Sequence, residues 1–309
     1  MSTDTATGLD ALGASTPETA AIDLTAKRTW RSARSALMTG LMAASLGIVI
    51  VALGAVIWTV LTRGAAAAFA AFPDFFVKEI PINSRRFGPG MGPAIAGTLA
   101  TTFAATVIAV PMGVLGGVYL REYGTGNRFA RLVRFMATVM TGVPSIVMGL
   151  FVYVVWTIRF GYSALGGAIA LACLMLPVII IATEQMLRLV PDHLREASYA
   201  LGATKSRTIL TVVLPAALPG IVSGSLLAVA RAAGETAPLL FAVGAATRYN
   251  LNLFQGANTA LSLQIFANAV SSFEASQERA WGAALALVLV TFLTSLAARM
   301  VVARFGTHR

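Results

Sequence analysis

Metal-binding and redox residues are almost missing from this sequence, which holds one cysteine, Cys173, and two histidines, His193 and His308. A single thiol makes no internal disulfide, and Cys173 lies in an apolar run where it packs as a small hydrophobe. No Cys/His cluster exists from which a zinc site draws its ligands. Charge is scarce too. Asp, Glu, Lys and Arg make up 12% of the 309 residues, about half the share in a soluble domain. No nucleophile–base constellation stands out, which argues against an enzyme. The phosphate-cradling string G-x-x-x-x-G-K-[ST] is absent as well. "GATKS" at 202–206 has a Lys-Ser pair but lacks the preceding glycine and follows no strand pattern. The chain is expected neither to hydrolyse ATP nor to bind a cofactor.

What is there is apolar: 57% of the residues are hydrophobic. A bilayer core takes about 20 helical residues, and six runs meet that length: 37–61, 94–120, 132–157, 164–186, 216–243 and 280–303. The expectation is an all-α, polytopic membrane protein with six spans. Pro111, Pro144, Pro177 and Pro219 lie inside the runs, as membrane helices tolerate when neighbours satisfy the freed carbonyls. The first run is too long for the core of a signal peptide, although "AAAAFAA" after it mimics a cleavage site, so an uncleaved anchor is expected. Residues 1–26 carry four acids and no base. They head a tail over 1–34 that is expected to be cytoplasmic and largely disordered, before a transmembrane domain over 35–306.

The net charge of +10 raises the question of nucleic acid, but the bases cluster beside the apolar runs, which sets membrane orientation rather than a nucleic-acid face. With the N-terminus inside, 15 of the 23 bases fall on inner segments and seven on outer ones, so both termini are expected in the cytoplasm. On the outer side, "FAAFPDFFV" at 69–77 is aromatic enough for the membrane interface. The stretch "NLNLFQGANTALSLQIF" at 250–266 fits a short amphipathic helix on the outer surface, or an ordinary loop.

Arg231 belongs to neither side. It lies inside the fifth run, with Glu235 one helical turn on. A charge at such depth costs roughly 2.5–3.5 kcal/mol on insertion scales, so it faces protein, water or ligand. Arg before Glu is the poorer order for bracing a helix. Two readings stand: an ion pair locking this span to a neighbour, or an anion route using the planar guanidinium fork that matches oxyanion oxygens. Thr141 and Ser145 flank a proline and offer hydroxyls to the same route, or serve only a packing kink.

The inner segment between spans four and five, "EASYALGATKSRTILTVVLP" at 196–215, is polar and short-helical. Pro191 and Asp192 suit a first helical turn, and Leu194, Ala197 and Leu201 fall on one face. Gly202 ends that helix, and Thr204 is placed to cap a second one running to Leu214 before Pro215. Such a hairpin either docks on another protein or lies on the bilayer. The string resembles the EAA loop of ABC importer permeases. Glu196, Ala197, Gly202, Leu214 and Pro215 match, while Ser198 and Val212 depart mildly from Ala and Ile. The resemblance implies a coupling element over 191–215 seated in a groove of a separate ATPase.

"RAAGETAPLL" at 231–240 is similar to the corresponding segment of phosphate-specific permeases of the PstA type, and "GTLATT" at 97–102, "GVPSIVMGLF" at 142–151 and "LSLQIF" at 261–266 look like the same family. That resemblance implies the MetI-like fold of type I ABC importers. It also implies a complex in the prokaryotic inner membrane with a PstC-type permease, a PstB-type ATPase dimer that uses the ATP, and an external phosphate-binding protein. Another oxyanion such as sulfate, molybdate or a phosphonate is the alternative substrate, and an ion-coupled secondary transporter is the alternative class.

Overall fold

The computed structural model describes residues 30–85 and 90–306. Of the tail expected over 1–34, residues 1–29, with Lys27 and Arg28, lie outside the described residues, as do the bases Arg86 and Arg309, while 30–34 are helical. Residues up to Ala55 and those from Val56 onward form two units. The first contributes the N-terminal part of helix α1 (Trp30–Phe69), whose large side chains there, Leu41, Val49 and Ile50 among them, are exposed and apolar.

The second unit continues with α2 (Asp74–Val77), α3 (Gly92–Tyr123, its last turn a π-turn), α4 (Arg128–Thr141) and α5 (Ser145–Phe160, with a π-turn at 153–157). Then come α6 (Ala164–Leu189), α7 (Asp192–Ala200), α8 (Lys205–Ala233, with a π-turn at 209–213), α9 (Ala237–Ala242), α10 (Leu261–Ala269) and α11 (Glu274–Gly306). Every regular element among the described residues is helical. Among the described residues five helices are long and apolar enough to cross a membrane, and α4 with α5, bent by 108°, makes up to six.

α6 is the centre of the bundle. Lipid tails are as apolar as leucine, so membrane helices associate through close packing of small residues rather than hydrophobic gain. Gly113 and Gly117, four apart on α3, let it approach α6 until a Cβ at either would stand 2.7 Å from Ile179 Cβ or 2.5 Å from Thr183 Cβ. Gly220 and Gly224 do the same on α8, against Met186 and Ala182 of α6. Next to these crossings, toward the start of α6, Ala105, Ala109, Ala168, Leu171, Ala172, Met175, Ile179 and Ala228 form the main core.

Four expectations are corrected. The run 132–157 is not one continuous helix: it breaks at 142–144. The run 216–243 breaks at 234–236, and its helix begins earlier, at Lys205. The second loop helix does not stop at Pro215, because the preceding π-turn widens the helix where the proline ring would crowd the carbonyl four residues back. α10 is no surface helix, since Leu261, Ser262, Leu263 and Gln264 are buried and the Leu261 amide donates to Thr98 Oγ1 at 2.8 Å.

Candidate functional site

The two helix breaks share one cause. In a continuous helix the Pro144 ring would collide with the carbonyl of Met140, and that of Pro238 with the carbonyl of Gly234. Pro111, Pro177 and Pro219 present the same hazard, yet their helices run through. The difference lies in the residues before each proline. At the first break Gly142 ends α4 with its amide on the Val139 carbonyl, and Pro144 turns extended (ψ 135). At the second, Gly234 and Glu235 close the last turn of α8 on the Arg231 and Ala232 carbonyls. The Ser262 hydroxyl donates to the Glu235 carbonyl at 2.9 Å, satisfying a backbone group that the break frees.

The broken helices meet. Gly149 of α5 packs directly on the backbone of Ala237 and Pro238 in α9. Beside that crossing lies a cavity of about 210 Å³, lined by Thr141, Pro144 and Ser145 at the first break and by Arg231 and Glu235 at the second, with Met175 of α6 as part of its floor. All four residues singled out for a substrate path therefore line one space. Its volume is below the roughly 300–1,000 Å³ of drug-sized sites and suits a small ion. α5 begins at Ser145, so the positive end of its dipole borders the cavity. The Thr141 hydroxyl donates to the Thr138 carbonyl at 2.6 Å, leaving its oxygen as an acceptor.

Arg231 does not lie inside the unbroken span expected from the fifth run. It stands in the last turn of α8, where a cation complements the helix C-terminus. Its side chain is 75% exposed in the single chain and that of Glu235 20%. Nε lies 3.7 Å from Glu235 Oε1, too far for a hydrogen bond. The pair is loose, and the guanidinium fork is open.

The polar interruption folds as a protrusion. α7 ends in a Schellman closure, with the Gly202 amide on the Tyr199 carbonyl and the Ala203 amide on the Ser198 carbonyl. Gly202 adopts φ +79, and nothing stands within 4 Å of where its Cβ would be, so only the backbone demands glycine there. Thr204 occupies the N-cap of α8 but its side chain accepts no capping amide, a departure from expectation; its hydroxyl stands 3.4 Å from that of Ser206. The Ser198 hydroxyl pairs instead with that of Thr208 at 2.8 Å, joining the two helices. Glu196, Ala197 and Leu194 are exposed and Leu201 is 90% exposed. Leu214 and Pro215 are not brought to this tip: both are half-buried in α8, and Leu214 packs beside Leu187 and Val213.

Two clusters escaped the sequence reading. Arg195 of α7 is buried and donates to the carbonyls of Leu187 (3.0 Å) and Val190 (2.8 Å), to Asp192 Oδ1 (2.9 Å) and to Glu122 Oε1 (2.9 Å). It caps the orphan carbonyls at the end of α6 and ties α7 to the π-turn of α3. On α6, Glu184 accepts from both Arg134 and Arg188. Its signal was legible, since a carboxylate inside a predicted span needs a partner.

A family model described as the binding-protein-dependent transport system inner membrane component matches residues 109–307. The phosphate transport system permease protein PstA 1 of Mycobacterium tuberculosis (strain CDC 1551 / Oshkosh) is 51% identical over 195 residues, 62% of this chain and 64% of that protein. The chain thus matches under two thirds of that relative's length. The phosphate transport system permease protein PstA of Haemophilus influenzae is 36% identical over 272 residues, 88% of this chain and 94% of that protein. Among solved structures, a bacterial ABC transporter involved in import of the acidic polysaccharide alginate superposes with a TM-score of 0.64 at 15% identity, covering 90% of this chain and 99% of that one. The MetNI methionine ABC transporter gives 0.55 at 23% identity, covering 70% and 94%. The fold is that of type I ABC importer permeases, as expected.

Proposed function

The chain belongs to the family of binding-protein-dependent transport system inner membrane components, and from that premise we propose that it is the PstA-type permease subunit of an ATP-driven importer of inorganic phosphate. The observation that carries the proposal is the cavity at the crossing of two broken helices, with the open fork of Arg231 on one side and Ser145 with the first turn of α5 on the other.

An oxyanion entering a site of low dielectric loses its water, and fixed donors must replace it. Arg231 supplies a permanent charge and parallel N–H donors. The Ser145 hydroxyl and the α5 N-terminus supply a second, uncharged side. Glu235 keeps the site from becoming a trap: it is near enough to re-pair with Arg231 once the anion leaves, and too loosely held to keep the anion out. Conduction needs that balance between entry and release.

In this reading the exposed face of α7 seats on a PstB-type ATPase dimer in the cytoplasm, which puts both chain termini on that side. Arg195 makes α7 move with α3 and α6 rather than alone. The partner ATPase binds the ATP, and this chain binds no cofactor. Arg231 lies on an open face of the single chain, which a PstC-type permease covers to complete the path. An external binding protein delivers the phosphate. Uptake by the reconstituted complex tests this directly: phosphate accumulates only with ATP, and neither sulfate nor molybdate competes at tenfold excess. Transport without ATP, or preferential uptake of another oxyanion, contradicts it.

A further inference from the structure

Below the cavity, toward the end of the bundle that carries loop 191–215, α4 bears a polar stripe. Arg131, Arg134, Thr138 and Thr141 recur at i, i+3, i+7 and i+10, which puts them on one helical face. Arg131, Thr138 and Thr141 are exposed. Arg134 lies seven residues, about 10 Å, from the cavity wall at Thr141.

Arg134 grips Glu184 with its fork: Nε stands 3.0 and 3.2 Å from the two carboxylate oxygens and Nη2 2.7 Å from Oε1. Arg188 adds a second guanidinium, with Nη2 2.6 Å from the same oxygen. The carboxylate is 6% exposed, whereas both arginines reach solvent. Two fixed positive charges thus share one negative charge. Each guanidinium has five N–H donors, so most remain unused by Glu184. A latch between α4 and α6 needs one arginine, and the second is surplus to it. The geometry is that of an oxyanion site with a carboxylate resting in it: the two Glu184 oxygens occupy the fork as two phosphate oxygens do.

We propose that Arg134 and Arg188 form a second phosphate-group station on the loop side of the cavity, which Glu184 fills between passages and vacates as the anion arrives. The proposal rests on the reading of Arg231 as the first station. Passage then runs from Arg231 along the α4 stripe to Arg134, and Glu184 returning to the fork drives release. A lipid headgroup phosphate offers the same chemistry to an arginine near the bilayer edge. The station belongs to the free anion.

The test uses the assembled transporter in a maltoside detergent, with radiolabelled orthophosphate and no nucleotide. Glu184→Gln keeps the shape and removes the resident charge. It is expected to add one phosphate per complex, bound about tenfold more tightly than any wild-type site that Arg134 controls, charged hydrogen bonds being the strong ones. The gain should persist in Arg231→Gln/Glu184→Gln, which separates this station from the first, and vanish in Arg134→Gln/Glu184→Gln. No added phosphate in Glu184→Gln overturns the station while leaving the reading of Arg231 untouched. Displacement of the phosphate by phosphatidylglycerol also overturns it, by assigning the fork to lipid. Independently, Arg134→Gln should lower uptake about tenfold in assembled complexes. Recovery of uptake in Arg134→Gln/Glu184→Gln would reduce the cluster to a latch.

Discussion

A Cβ added to Gly149 would stand 2.7 Å from the Cα of Pro238 and 3.2 Å from the Ala237 carbonyl oxygen. These two residues, 89 apart in the chain, are where the broken helices touch, and backbone cannot move aside as a flexible side chain does. Gly149→Val should force α5 and α9 apart and open the cavity wall. Overpacking costs about 1–3 kcal/mol, so the complex should still form but melt several degrees lower, with phosphate uptake reduced more than tenfold. Unchanged melting and uptake would show that the crossing tolerates separation.

Arg195 fixes the protrusion to the bundle through two carbonyls and two carboxylates. Arg195→Met retains much of the length and removes every one of those bonds, leaving Glu122 buried without its partner. Breaking a buried pair from one side costs roughly 3–5 kcal/mol. Amide hydrogen exchange across 187–203 should accelerate, and ATP hydrolysis should no longer drive uptake. Glu122→Gln, which still accepts a hydrogen bond, should lose less. Equal exchange in wild type and Arg195→Met would remove Arg195 from the coupling account.

Gly202 tests the loop separately from its anchor. A β-branched residue at φ +79 is strained by about 1–2 kcal/mol, while the open space around the position excludes a steric clash within the chain. Gly202→Val should therefore insert in the membrane normally and co-purify with less ATPase. Wild-type co-purification together with wild-type uptake contradicts docking through this turn.

How legible all this was depends on range. The protrusion is local, and Gly202, the start of α7 at Asp192 and the face of Leu194, Ala197 and Leu201 are readable from neighbouring residue types alone. The lengths of the apolar runs give the long helices for the same reason. Proline is where local reading fails. Pro144 and Pro238 break their helices, while Pro111, Pro177 and Pro219 do not, and only the glycine and polar residues just before the first two distinguish them. The sequence of α10 fits a surface helix or a loop, because its amphipathic pattern does not say that Thr98, 163 residues away, waits to accept its first amide. Arg231, Glu235, Thr141 and Ser145 were each legible as polar groups in apolar runs, but their sharing one cavity was not, because it follows from how α4, α6 and α8 cross. In the sequence Arg195 reads only as an inner-side base. Its burial depends on Glu122, on a different helix.

The most direct measurement is phosphate uptake by reconstituted complexes carrying Arg231→Lys and Arg231→Gln, read alongside assembly and ATP binding. The lysine keeps the charge and loses the fork, so uptake should fall several-fold with assembly intact. The glutamine leaves no fixed positive charge at the cavity, and uptake should be abolished although the subunits still assemble and bind ATP. Wild-type uptake by Arg231→Gln, or failure of both variants to assemble, would contradict the account, the first by removing the anion route and the second by making Arg231 a structural lock.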